Sequence, residues 1–233
     1  MKEYILKTSH SKAYRVFYVF LRATIGFFFK ILYRIEIKGA ERLPLKGKFI
    51  LCSNHQSYID PVIIGLFFPR YLYFMGKVEI FKNNLLAAIV SYFNAFPVSR
   101  GTFDRQAIRT AVRILEAEEV VGLFPEGTRA TDGKIKDAQK GVALISILSK
   151  SPILPVAISG SNKIIQKPHK RLYFPKIRVS YGDTIDTVSI MNEYGTKNAP
   201  EIIVKRTMEA IKNLYNESTN NIEKLPVNNI KDI

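Results

Sequence analysis

A histidine and an aspartate stand five positions apart in Asn54-His55-Gln56-Ser57-Tyr58-Ile59-Asp60, directly after the apolar run Phe49-Ile50-Leu51-Cys52-Ser53. Imidazole titrates nearest neutral pH, so His55 is suited to take a proton from a hydroxyl and later return it. A carboxylate on its other ring nitrogen would fix the tautomer and stabilise the imidazolium. Asp60 followed by Pro61 also reads as a helix start, with Asp at the N-cap and Pro at the first helical position. The two roles are compatible, because a carboxylate has two oxygens. Residues five apart on one continuous helix diverge by about 140°, at roughly 100° per residue, so the pair can meet only if His55 lies in the turn before the helix.

Two further segments place polar groups where a ligand could be held. Phe124-Pro125-Glu126-Gly127-Thr128-Arg129 follows the apolar run 120–124, at a strand end of the kind that carries ligands in open α/β sheets. Arg129 offers a planar fork for phosphate, Gly127 permits close backbone approach, and Glu126 could accept from substrate hydroxyls. A solvated turn with a local ion pair is the alternative for this segment taken alone. Pro97-Val98-Ser99-Arg100-Gly101-Thr102-Phe103-Asp104-Arg105 leads into a helical pattern, so Arg100 stands near a helix start whose free N–H groups favour anions. Lys77, after the strand-like run 71–75, adds a third cation at the same kind of position.

These side chains need a scaffold, and from residue 39 onward short apolar runs alternate with amphipathic ones. That alternation predicts β-α repetition and a mostly parallel sheet flanked by helices. Strands are expected at 49–53, 71–75, 120–124 and 153–158, with a strand pair in 171–181 around Pro175. Helices are expected at 61–68, 84–93, 102–118, 140–150 and 200–216. The polar stretch 218–233 is expected to be a loosely ordered tail.

With 233 residues, of which 47% are hydrophobic, the chain can bury one substantial core. One cysteine, Cys52, excludes an intramolecular disulfide. With three histidines besides it, no zinc site of the usual Cys/His spacing can be assembled, and no metal is expected. A formal charge of +15 suits an anionic partner, but no nucleic-acid module accompanies it, so nucleic acid is not expected. G-x-G-x-x-G and G-x-S-x-G are both missing, which leaves dinucleotide binding and the nucleophile elbow unsupported. Residues 1–38 differ from the rest. Lys12, Arg15, Arg22, Lys30 and Arg34 are set among many aromatic and aliphatic residues. No uncharged run approaches the roughly 18 to 20 residues of a spanning helix. The pattern predicts an amphipathic helix in the membrane interface, with its apolar body inserted and its cations at the headgroups. A core helix or a signal sequence are the alternatives, and Arg22 and Lys30 interrupt the apolar stretch that a signal requires.

Taken together, the His-x4-Asp block, Arg100-Gly101, the Phe-Pro-Glu-Gly-Thr-Arg block and Ile153-Leu154-Pro155-Val156-Ala157-Ile158-Ser159-Gly160 resemble the ordered blocks of the 1-acylglycerol-3-phosphate acyltransferases, within the glycerolipid acyltransferases. The resemblance runs from about residue 39 to 182 and implies the α/β fold of that family, with domain limits of 1–38, 39–217 and 218–233. It implies that His55 and Asp60 are the catalytic pair. Lys77, Arg100, Glu126, Gly127, Thr128 and Arg129 would bind the glycerol phosphate of lysophosphatidic acid. An acyl thioester of coenzyme A or of acyl carrier protein would be the co-substrate, with no further cofactor. Membrane lipids would be partners, and the protein would sit on the cytoplasmic face of a membrane. Another acceptor, such as glycerol 3-phosphate or a lysophospholipid, is one alternative, and a non-catalytic membrane-binding protein is another.

Overall fold

Phe49, Ile50, Leu51, Cys52 and Ser53 are all buried, so the strand they form, β2 (Phe49–Ser53), is covered on both faces, as continuous apolar runs of parallel sheets require. The computed structural model describes residues 11–99, 104–130, 132–166 and 171–223. In it β2 lies at the centre of a seven-stranded sheet of order β1-β9-β6-β2-β5-β3-β4. The other strands are β1 (Glu36–Lys38), β3 (Leu72–Lys77), β4 (Phe96–Val98), β5 (Val120–Leu123), β6 (Ile153–Ser159) and β9 (Arg178–Tyr181). All neighbours run parallel except β6 and β9. A separate antiparallel pair joins β7 (Ile165–Gln166) to β8 (Arg171–Leu172). The strands on either side of Pro175 therefore do not pair with each other, contrary to the pairing expected in 171–181. β9 instead completes the main sheet, where its alternate side chains find apolar cover.

Alternation along the central strands divides the core in two. Ile50, Cys52, Val121 and Leu123 face α4 (Arg105–Glu116), α5 (Gly141–Ser149) and α6 (Thr187–Glu223). Phe49, Leu51, Val120 and Leu154 face α2 (Asp60–Phe67) and the end of α1 (Lys12–Leu32), with Phe29 packed at the margin. One further helix, α3 (Asn84–Tyr92), joins β3 to β4. α4 shows why such segments become helices: Asp104 caps it by accepting the Ala107 N–H, and Ala107, Ala111, Ile114 and Leu115 recur at helical spacing on its buried face. α6 is interrupted at Gly195, where φ is 73°, and continues past Pro200 to Glu223. Residues 218–223 are thus helical, contrary to the loose tail expected from 218, and the remainder of that stretch, 224–233, lies outside the described residues. Ser218 is held because its carbonyl accepts from the buried Arg178 guanidinium.

Two connections diverge from the sheet centre. From β2 the chain passes through α2 to β3 on one side, and from β5 it passes through α5 to β6 on the other, across the opposite face. The carboxyl ends of β2 and β5 consequently open on a crevice at a topological switch point.

Candidate active site

His55 lies two residues beyond β2, and the Phe124–Arg129 segment begins where β5 ends. Four bonds hold the first of these turns. The Asn54 side chain spans to β6, its Nδ2 donating to the Ile158 carbonyl (2.9 Å) and its Oδ1 accepting the Ile158 N–H (2.8 Å). The His55 carbonyl accepts from the Ala130 N–H at 2.7 Å. The His55 N–H donates to Glu126 Oε1 at 2.9 Å.

The imidazole is then aimed by Asp60. His55 Nδ1 stands 2.9 Å from Asp60 Oδ2, and the same oxygen accepts the N–H groups of Gln56 (2.6 Å) and Ser57 (2.7 Å). Asp60 is fully buried, and an ionised carboxylate only accepts. Nδ1 therefore donates to the carboxylate, and Nε2 is the ring nitrogen left for proton exchange with a substrate. Asp60 is also the first residue of α2, whose N-cap is Ile59 without a side-chain bond. The carboxylate thus reaches back to the preceding turn instead of capping the helix forward, because that turn presents two N–H groups and the ring together. The outer ring wall is Phe124, stacked on His55 with centroids 4.1 Å apart. Phe74 backs Phe124 in turn, at 5.5 Å and nearly coplanar. Gly122 makes this stack fit, since a Cβ there would lie 2.4 Å from the Phe74 ring.

Both oxygens of Glu126 accept backbone N–H groups. Its Oε1 takes the His55 N–H, and its Oε2 takes the Lys136 N–H at 3.0 Å. Burial raises its proton affinity above that of an ordinary carboxyl, and the two backbone donors oppose this. Glu126 ties the His55 turn to the loop at 132–139. Gly127 has φ 67°, which an L side chain tolerates poorly, and it closes a turn to the Phe124 carbonyl. The Arg129 guanidinium lies over the Tyr58 ring, 3.3 Å from its centroid, so the two blocks also meet at the exposed rim. Thr128 is exposed beside them. Lys77 ends β3 in register with Val98 and pairs with Glu79 at 3.2 Å, with no contact to the His55 turn among the described residues. Arg100 and Gly101 lie outside the described residues.

A cavity of roughly 830 Å³ opens at the Phe124–Arg129 segment, lined by Phe124, Gly127 and Thr128 together with Ile108, Val142 and Ile145; His55 meets it only through the Phe124 ring stacked on the imidazole. Its lining is mostly apolar, with Ser99, Asp104 and Lys140 at polar positions. Among the described residues no three His, Cys, Asp or Glu side chains converge as metal ligands.

A buried carboxylate bonded to an imidazole, with an apolar cavity on the Phe124 segment that stacks on that ring, is an arrangement suited to a base acting near a hydrocarbon. A family model described as Acyltransferase matches residues 34–159, more than half of the chain and the segment that holds His55, Asp60 and Glu126 to Arg129. The chain belongs to the acyltransferase family. Among curated proteins, this acyltransferase is 28% identical over 127 residues to the 1-acyl-sn-glycerol-3-phosphate acyltransferase of Bacillus subtilis, covering 54% of the chain and 63% of that protein. It is 25% identical over 216 residues to the enzyme of the same name from Streptococcus pneumoniae, covering 89% of the chain and 79% of that protein. The match thus spans less than two thirds of the Bacillus relative. Among solved structures, the crystal structure of the 1-acyl-sn-glycerophosphate (LPA) acyltransferase PlsC from Thermotoga maritima is similar, with TM-score 0.69 and 27% identity, covering 91% of this chain and 86% of that one.

The sequence shows Asn54, Tyr58 and Phe124 within its motifs without revealing their work, and it gives no sign of Phe74 and Tyr215. Gln56 Nε2 donates to the Tyr215 hydroxyl at 2.9 Å, so α6 reaches the same turn across 159 positions of sequence. Nothing local in the sequence marks a partner that distant.

Proposed function

We propose that this acyltransferase moves a fatty acyl group from an acyl thioester to the free sn-2 hydroxyl of 1-acylglycerol 3-phosphate, giving phosphatidic acid. The single observation that carries the reading is the His55–Asp60 pair at 2.9 Å, in a buried turn whose stacking partner Phe124 lines an apolar cavity. His55 Nε2 takes the hydroxyl proton as the oxygen attacks the thioester carbonyl carbon. The tetrahedral intermediate expels the thiolate, and the imidazolium returns the proton to sulfur. Asp60 holds the ring and stabilises its charged form. General base catalysis of this kind contributes on the order of 10² to 10⁴ in rate, so placing hydroxyl and thioester together supplies much of the rest.

Arg129 is our candidate for the acceptor phosphate, with Thr128, the Gly127 backbone, Lys77 and Arg100 completing the anion site. Glu126 acts through His55, as a positioning residue. The thioester supplies the activated carbonyl, so the reaction as written uses no further cofactor.

The acceptor is a lipid, and α1 fits that setting. Val16, Phe17, Phe20, Phe27, Phe28 and Ile31 are all more than half exposed, while Arg22 turns inward to the Phe68 carbonyl. The helix thus presents apolar side chains outward and anchors a cation to the domain, rather than holding that cation at a headgroup. We place this face in one leaflet of the membrane, on the cytoplasmic side. Among the described residues no helix is long and apolar enough to cross a membrane. Residues 1–38 then serve as the membrane-interface segment and 39–217 as the catalytic domain.

Transfer of a labelled acyl group from a thioester to lysophosphatidic acid in mixed micelles tests the reading, with wild type and His55→Ala side by side. Product from wild type alone is expected, and turnover by a folded His55→Ala protein near the wild-type rate would refute the base assignment.

A further inference from the structure

Arg105, Arg109 and Arg113 recur every fourth residue on α4, and all three are exposed. At 1.5 Å per residue their guanidinium groups form one stripe about 12 Å long. Among the described residues none of the three has an ion-pair or hydrogen-bonding partner, although Glu116 follows on the same helix. The stripe starts at the cavity, for Asp104, Ala107 and Ile108 line it while Arg105 and Arg109 are exposed beside them, and Lys140 lines the same cavity.

Three features narrow the partner. The inner face of α4 packs on the sheet side that carries α5 and α6, whereas α1 and α2 cover the other side. A membrane engaged through α1 therefore meets the other sheet face, and the arginines point away from it. None of the three lines the cavity, so they occupy a convex helix face and not a concave seat for a nucleotide. Unpaired cations one turn apart match carboxylates at the same spacing on an opposing helix.

We propose that the α4 stripe docks an acidic acyl carrier protein, which delivers the acyl thioester on a flexible arm into the cavity lined by Phe124, the ring stacked on His55. The proposal rests on the acyl-transfer reading and names its donor. Electrostatic pairing of this kind sets encounter rate and partner choice, and it weakens with salt.

The test compares wild type with R105E/R109E/R113E and with the charge-keeping R105K/R109K/R113K, using palmitoyl-acyl carrier protein and palmitoyl-CoA as donors. For the glutamate triple, KM for the carrier-bound donor is expected to rise about tenfold or more, with kcat and the CoA parameters changed by less than about twofold. The lysine triple is expected to stay near wild type. Binding of fluorescently labelled holo-carrier protein, read by anisotropy at low and high salt, is expected to weaken in parallel without any need for turnover. Equal losses with both donors would overturn the proposal and assign the stripe to the nucleotide. Loss of vesicle co-sedimentation would assign it to the membrane, and unchanged carrier binding would make it a solvated face. Wild type that binds the carrier through the stripe but transfers from neither donor would sink the transfer reading instead, which keeps the two failures apart.

Discussion

Each member of the His55 turn is held by a bond that can be removed separately. Glu126→Gln keeps the volume but leaves one of two buried N–H groups facing an amide nitrogen, at a cost of roughly 1 to 3 kcal/mol. We expect kcat to fall while KM for the acceptor stays close to wild type; a rise in KM alone would make Glu126 a substrate ligand after all. Acidity gives a second readout. Burial holds the Glu126 carboxyl in its protonated form above the ordinary value of 4.5. Between that value and its own, the unfolded chain has lost the proton and the folded one has not, so this group's contribution to stability falls as pH rises. Thermal unfolding of the Gln variant against wild type, from about pH 4 to about pH 7, is expected to shift in favour of the variant as pH rises. Arg129→Ala is expected to raise KM for lysophosphatidic acid about tenfold or more, with the donor parameters much less affected; equal effects on both would count against a phosphate role. At this scale the sequence was informative in types and poor in roles. His55 and Asp60 were legible because five-residue spacing around a turn has few geometries. The bridge from Asn54 to Ile158 was not, since an asparagine after a strand looks like any turn residue.

Among the elements, α1 invites the sharpest experiment. Phe20 and Phe27 are each more than 60% exposed, so replacing both by Glu removes no packing from the domain. Far-UV circular dichroism and unfolding are expected to stay within about 0.5 kcal/mol of wild type, while co-sedimentation with anionic vesicles is lost. Retained co-sedimentation would place the membrane contact elsewhere. Long elements of strong period were readable: α1, α3, α4 and α5 and the central strands lie close to where apolar spacing puts them. Short pieces such as β1 (three residues) and β4 (three residues) were missed, because three residues carry too little alternation to register. In α1 the sequence does not reveal that Phe68 offers its carbonyl to Arg22, whereas Lys12, Arg15 and Lys30 stay exposed.

For the whole molecule, one buried junction joins the first strand, the last strand and the last helix. Arg178, 3% exposed, pairs with Glu36 of β1 and donates to the Ser218 carbonyl of α6. Lys176, then Arg178, holds the Glu36 carboxyl below its ordinary value, so this stabilisation is present above about pH 4.5 and fades as pH falls through the lowered one. Glu36→Gln is expected to destabilise by about 1 to 3 kcal/mol at neutral pH, short of the fully buried range because Glu36 is a third exposed, and to converge on wild type in acid. Denaturant unfolding at two pH values checks both. The sheet itself was legible as mostly parallel, yet its order was not, because pairing partners are set by crossovers that pass over other strands. That order has a temporal consequence. During synthesis His55 leaves the ribosome 71 residues before Glu126 and its side-chain-bonded neighbour Asn54 leaves 104 before Ile158. A nascent chain therefore presents the apolar side of α1 long before the imidazole is locked in place, so on the proposed membrane role of that helix, lodging at the lipid surface precedes competence for chemistry.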